Sequence, residues 1–197
     1  MRISVACVVL AGLLPVSLLP GCVSQGGGVS LSRQPVLAGA VTIAAPKGYC
    51  IEPGSRLERG DSALVILGRC AGETTAAPAL LTATIGASGS GTGIAGDSAT
   101  LANWFRSERG RAALSDRGRP GDIRIDRIES KGDVLFLQLR DQGAGGGAQT
   151  EGWRAVMPLR GRLVTLTVAG PREAPLPAAA GRSLIGRFAD SLASANR

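Results

Sequence analysis

The 197-residue chain contains no histidine. Histidine is the commonest general base and the commonest metal ligand, so its absence excludes a Ser-His-Asp triad, a Cys-His pair and zinc sites built on imidazole. Paired carboxylates, a Ser-Lys pair and arginine are the remaining catalytic options, and the carboxylates form no distinctive pair. We therefore predict no catalytic residues, no metal site and no cofactor, and we expect a non-enzymatic protein.

Large aromatic side chains are also few: one tyrosine, two tryptophans and three phenylalanines. The core must therefore be built mostly from aliphatic residues. With so few other large side chains to fill it, Trp104, Phe105 and Trp153 are expected to pack in the core, and the lining of a ligand pocket is the alternative.

Cysteine is scarce, with four residues, yet one of them carries the most specific signal. The chain opens with methionine and arginine, is apolar through residue 19, and then reads Leu19-Pro20-Gly21-Cys22. A charged start, an apolar stretch and a small residue before a cleavage point are typical of a secretory signal peptide. The cysteine after the small residue resembles the lipobox of bacterial lipoproteins. That resemblance implies cleavage between Gly21 and Cys22 and a lipid on Cys22.

Two other interpretations of this segment stay open. Residues 3–19 are at the short limit for a membrane-spanning helix, and Pro15 interrupts them; an ordinary signal peptide with an incidental cysteine is the second alternative. In the lipoprotein interpretation, residues 1–21 are removed, 22–35 are a lipidated N-terminus with a flexible tether, and 36–197 form one domain. The protein would face the periplasm. The outer membrane is favoured because Val23, rather than an aspartate, follows the cysteine, as in outer-membrane sorting in enterobacteria.

The two cysteines that remain after processing, Cys50 and Cys70, predict a structural disulfide. An exported compartment permits disulfides, and an even number suggests one bridge. It would join two extended segments and stabilise the domain by about 3 kcal/mol on a chain-entropy estimate. Free thiols are the alternative, and a redox pair is disfavoured because the chain has no Cys-x-x-Cys motif.

The apolar pattern predicts an α+β domain: an antiparallel sheet of about six to seven strands with two packed helices, the second C-terminal. Strands are expected near 41–44, 49–51, 63–67 and 80–85, followed by a four-strand meander over 123–168 with one slip in its first strand. Helices are expected from Asp97 or Ser98 to about Ser115 and over 181–196. The start Ala45-Pro46-Lys47-Gly48-Tyr49, with the closing meander and helix, resembles the PsbP/Mog1-type fold in outline, which implies no functional residue.

Gly91-Thr92-Gly93-Ile94-Ala95-Gly96 matches the dinucleotide-binding pattern G-x-G-x-x-G. That site requires a parallel βαβ unit, whereas the rest of this chain is predicted to pair as hairpins. A flexible loop is therefore the preferred interpretation, and no cofactor is expected.

The chain carries a net charge of +7 and a dense basic stretch. Acidic residues interleave with the arginines, so a solvated, partly ion-paired surface is the simpler interpretation. Contact with anionic lipid head groups or an acidic envelope partner is the alternative, and nucleic acid is not expected for an exported protein. The candidate contact residues are Arg106, Arg109, Arg111, Arg117 and Arg119.

The function expected from these features is that of a membrane-anchored lipoprotein that acts as a binding or envelope-assembly module. A carrier of lipid or another small ligand is the first alternative and would need an apolar cavity near Trp104 or Trp153. A histidine-free hydrolase or transferase is the second, and it would need a deep cleft with convergent charged groups.

Overall fold

The computed structural model describes residues 31–92, 97–115, 117–144 and 147–197. The lipobox with Cys22, and positions 93–96 of the glycine-rich loop, lie outside the described residues. The predictions for those positions therefore remain predictions.

The described residues form an α+β fold with a large antiparallel sheet, which confirms the predicted class. The main sheet has eight strands rather than six or seven, and three α-helices are described rather than two. The strands are β1 (Arg33–Val36), β2 (Val41–Ala44), β3 (Tyr49–Ile51), β4 (Leu57–Arg59), β5 (Ser62–Arg69), β6 (Leu80–Ile85), β7 (Ile123–Lys131), β8 (Val134–Asp141), β9 (Glu151–Leu159) and β10 (Arg162–Ala169). The helices are α1 (Ser98–Arg106), α2 (Glu108–Leu114) and α3 (Ala178–Ala195).

The sheet runs in the order β3-β5-β6-β10-β9-β8-β7, and β4 also pairs with β5. All of these pairs are antiparallel. The predicted meander is present as β7 to β10. Its predicted slip is a register shift between Ile125 and Arg127, where an extra residue interrupts the alternation. Strands β1 and β2 form a separate two-stranded sheet.

Helix α3 and strand β2 cover one face of the sheet. The predicted apolar stripe of α3 is buried there: Leu184, Ile185, Phe188 and Leu192 are each 2% exposed or less. It packs against inward-facing residues of β5, β6, β9 and β10 in one large core. The helix thus docks on the sheet as its apolar stripe predicts.

The other face of the sheet is covered only in part. Helices α1 and α2 pack over β7, β8 and β9 in a second, smaller core, to which Phe105 and Leu114 contribute. On this side, the residues of β5, β6 and β10 are mostly half-buried rather than buried. Among the described residues, no helix covers this part of the sheet face.

Two segment predictions need correction. Strand β1 begins at Arg33 and Leu31 bridges to Ile51, so folded chain extends into the segment 22–35 that was predicted to be a tether. The single helix predicted to end near Ser115 is two helices that break at Ser107. The Ser107 backbone amide donates to Trp104 O, and its side chain caps the first turn of α2.

The predicted disulfide is confirmed: Cys50 and Cys70 are bonded, with their Cα atoms 4.9 Å apart. Cys50 lies in β3 opposite Gly68 of β5, and Cys70 follows the end of β5. The bridge therefore fixes the edge of the sheet next to the point where the described chain begins.

Candidate functional site

A groove of about 390 Å³ lies on the open part of the sheet face. Two pairs of threonines on adjacent strands form the centre of its floor: Thr84 lies opposite Thr165, and Thr82 lies opposite Thr167. Each pair comes from the alternation of β6 and β10, which sends every second residue to this face. The floor therefore offers a regular array of four hydroxyl groups.

Aliphatic and small residues frame this array. Leu64 and Leu80 line one side of the groove and Leu139 lines the other. Gly152 of β9 and Ala169 of β10 are small residues that also line the groove. The surface is thus apolar with hydrogen-bonding groups at intervals, a combination typical of ligand sites.

A nearly buried charged pair also lines the groove. Asp141 is 3% exposed, and its Oδ2 lies 3.7 Å from Nη2 of Arg154, whose side chain is 14% exposed. The Asp141 Oδ1 accepts a hydrogen bond of 2.8 Å from the Gly143 amide, whereas its buried Oδ2 accepts none from the described residues. The pair brings charge of both signs to the groove in a place where water is largely excluded.

The register of the meander brings this pair together. Arg154 lies opposite Leu137 in the β8–β9 ladder, three pairs away from the end at which Arg140 faces Glu151. Gly152 lies on the same face, between Arg154 and the end of the ladder next to Asp141, and it has no side chain to occupy the space. The long arginine side chain can therefore extend along the strand toward Asp141.

Sequence reasoning missed this site. Neither Asp141 nor Arg154 was predicted as a site residue. These residues are 13 positions apart, separated by a glycine-rich connection. A signal was nevertheless present, because a charged residue on the inward phase of an apolar strand is unusual.

The predicted contact arginines come from two segments of the chain. Arg106, Arg109 and Arg111 lie at the corner where α1 meets α2. Arg119 is ion-paired: its Nε is 3.2 Å from Asp122 Oδ2, in the short turn before β7. The Cδ of Arg117 lies next to Gly143, which is also close to Asp122. Of the five arginines, Arg119 therefore has a carboxylate partner.

The aromatic predictions are confirmed for two of three residues. Trp153 and Phe105 are each 4% exposed, and the Trp153 indole donates a hydrogen bond of 2.9 Å to Ala178 O. The expectation is wrong for Trp104, which is 43% exposed because it lies on the outward side of α1.

The described part of the glycine-rich loop is a packed turn. The Gly91 amide donates to Gly161 O, and a Cβ at Gly91 would lie 2.6 Å from Arg162 O. Leu163 N also donates to the Ser90 side chain. Close packing on the start of β10 thus accounts for Gly91. Strand β6 is antiparallel to both of its neighbours, so the described residues do not place this loop in the parallel unit that a dinucleotide site needs.

Several other carboxylates form ion pairs with arginines. Asp126 pairs with Arg124 and Arg140 as a surface network. Asp61 receives a side-chain hydrogen bond from the buried Arg162, which together with the Ser88 amide lowers the pKa of that carboxyl.

Across the described ranges, no group of three or more potential metal ligands occurs. No described helix is long and apolar enough to cross a membrane.

Comparisons with known proteins give one match. No protein-family model matches the chain, and a search of curated proteins found no match. The chain is similar to the solution structure of cyanobacterial PsbP (CyanoP) from Synechocystis sp. PCC 6803, with 16% identity and a TM-score of 0.47 over 84% of this chain and 94% of that one. This neighbour is of the type that the sequence resembled in outline, and no functional residue follows from it.

Proposed function

We propose that this protein is a periplasm-facing lipoprotein of the outer membrane, anchored through a lipid on Cys22, whose domain acts as a non-enzymatic binding module. The anchor is supported by the lipobox-like sequence that ends in Cys22. The absence of histidine supports binding rather than catalysis. The Cys50–Cys70 disulfide agrees with an oxidising compartment.

The observation that carries the binding role is the groove on the open sheet face. Asp141 and Arg154 lie together there, so their charges offset one another, and Glu151 is a further charged residue that lines the groove. Four threonine hydroxyls and a leucine frame suit a ligand that combines apolar contacts with hydrogen bonds. An extended segment of an envelope protein is a ligand of this kind.

The groove is tested by site-specific photo-crosslinking in intact envelopes. A photoreactive residue at the exposed Thr84 should give an adduct with one defined envelope protein. The matched control is Thr75, which is also exposed but does not line the groove. Thr165→Arg, which fills the groove, should remove the Thr84 adduct and leave protein abundance unchanged.

Two outcomes would count against an envelope-protein ligand. Equal adducts from Thr75 and Thr84 would mean that the groove has no special role. An adduct of lipid mass at Thr84 would instead support the carrier alternative, because the reacting partner would be a small apolar ligand.

The anchor has a separate test. Metabolic labelling with an alkyne fatty acid should tag the wild-type chain, and Cys22→Ala should abolish the label. The matched control is Cys7→Ala, because Cys7 lies in the segment predicted to be removed. Continued labelling of Cys22→Ala would show that another residue accepts the lipid or that the chain is not a lipoprotein.

A further inference from the structure

The corner between α1 and α2 holds Trp104 in a fixed position at the surface. Ser107 ends α1, and its hydroxyl donates 2.6 Å to Trp104 O and accepts 3.2 Å from the Gly110 amide. A Cβ at Gly110 would lie 2.0 Å from Trp104 O, so only glycine permits this close approach of the two helices. The corner therefore has a defined geometry, held by hydrogen bonds and close packing, and is not a frayed helix end.

Three arginines follow this tryptophan within seven residues of the sequence: Arg106, Arg109 and Arg111. Arg109 and Arg111 flank Gly110, and the Arg111 guanidinium donates to Arg106 O, which draws α2 onto the end of α1. Within the part of the chain that is described, none of the three pairs with an acidic side chain. The corner, Trp104 to Arg111, carries three arginines against Glu108 alone, a net charge of 3 − 1 = +2.

An exposed indole close in sequence to three arginines matches the chemistry of an anionic bilayer surface. Tryptophan favours the level of the lipid head groups, where its ring is in apolar surroundings and its N–H meets water. Each arginine close to such a surface contributes about 1 kcal/mol. A neutral bilayer would offer the indole the same interface without this attraction.

We propose that the α1–α2 corner docks the domain on anionic phospholipid head groups, with Trp104 inserted at the interface. This proposal rests on the anchor at Cys22 proposed above, which would hold the domain near the bilayer. Nine residues, 22–30, precede the described chain and span at most about 30 Å. The sheet is six strand spacings wide, ~29 Å, so a domain tethered at its β3 edge can reach the bilayer with the corner.

The test uses the mature, lipid-bearing chain reconstituted in vesicles of phosphatidylcholine alone or with 30% phosphatidylglycerol. Brominated phosphatidylcholine quenches indoles that lie at the interface. Trp104 should be quenched and its emission shifted to the blue in the anionic vesicles, and both effects should disappear at high salt. Trp104→Phe should remove the signal, because the other tryptophan, Trp153, is buried beneath α3.

Charge substitutions test whether the arginines of the corner contribute to docking. Arg106→Gln with Arg109→Gln should weaken docking about 25-fold, roughly fivefold for each arginine. The matched control, Arg172→Gln with Arg187→Gln, removes the same charge at exposed positions away from the corner and should leave quenching unchanged.

The two measurements test the anchor at Cys22 and the docking of the corner separately. Flotation with neutral vesicles reports the anchor, whereas quenching reports docking, so either can fail without the other. Absence of quenching in anionic vesicles would overturn the docking proposal. Equal quenching in neutral and anionic vesicles, or equal loss in both double variants, would overturn the role assigned to the corner arginines.

Discussion

Arg182→Gln should destabilise the domain by about 1–2 kcal/mol. In the folded protein the Arg182 guanidinium lies over two rings, 3.9 Å from the centroid of Phe136 and 5.6 Å from that of Trp153. Its Nε also donates 2.8 Å to Glu129 Oε2. The cation–π contact is worth about 0.5–1 kcal/mol, and the ion pair adds about 0.2–1 kcal/mol because both side chains are about one-third exposed.

Urea unfolding at neutral pH measures this loss as a fall in the midpoint with little change in slope. Arg187→Gln is the matched control, because Arg187 is exposed on the same helix and its guanidinium donates a hydrogen bond to the Ser183 hydroxyl. Surface changes of this kind stay within about 0.5 kcal/mol. Arg182→Lys keeps the charge but loses the planar stack, so it separates the ring contact from the ion pair.

The pH dependence provides an independent check on the ion pair. The hydrogen bond from Arg182, opposed by partial burial and aided by Arg127, lowers the pKa of Glu129 from its usual value of 4.5. A carboxyl with a lowered pKa in the folded state contributes stability above pH 4.5 and loses it as pH falls through the folded-state pKa. Glu129→Gln should therefore flatten the stability profile in that acidic window. Equal stability of the Arg182→Gln and Arg187→Gln variants, or an unchanged acid profile in Glu129→Gln, would refute the reasoning.

Three further changes have expected outcomes. Joint replacement of Cys50 and Cys70 by serine should lower the free energy of unfolding by about 3 kcal/mol, and the wild type under reducing conditions should show the same loss. Gly181→Ala would place a Cβ 2.8 Å from the Trp153 ring, so it should cost about 1–3 kcal/mol in thermal unfolding and shift the near-UV spectrum. Gly91→Ala would place a Cβ 2.6 Å from the Arg162 carbonyl oxygen at the start of β10, so it should lower the midpoint of thermal unfolding. An unchanged midpoint in this variant would contradict the structural role of Gly91.

The sequence predicted a strand or helix correctly where apolar residues recur with the period of that element. The strict alternation in β10 and the stripe of α3 are set by side chains a few residues apart, and the tertiary structure only has to satisfy them. Strand β4 could not be found this way, because its three residues are all exposed. Strand β1 was hidden for another reason: it lies beside a Gly- and Ser-rich stretch and contains Pro35, so only its pairing with β2 reveals it.

The site was harder to predict because it depends on what each helix leaves uncovered. Gly110 illustrates the problem at short range. Glycine is required at this position because a Cβ would collide with the Trp104 carbonyl, six residues earlier in the chain. The Asp141–Arg154 pair shows the same limit at longer range, since the β8–β9 register decides that these side chains meet.

The groove and the α1–α2 corner lie on the same side of the sheet, because both helices pack over β8 and β9 while the groove opens beside them. A domain docked through the corner would thus turn the groove toward the bilayer surface rather than toward the periplasm. A ligand would then reach the groove along the membrane, as a membrane-bound envelope protein would. Docking and occupancy should therefore be coupled, so Arg106→Gln with Arg109→Gln should lower the crosslink yield from Thr84, although neither arginine lines the groove. An unchanged yield would mean that the ligand approaches the groove independently of the membrane.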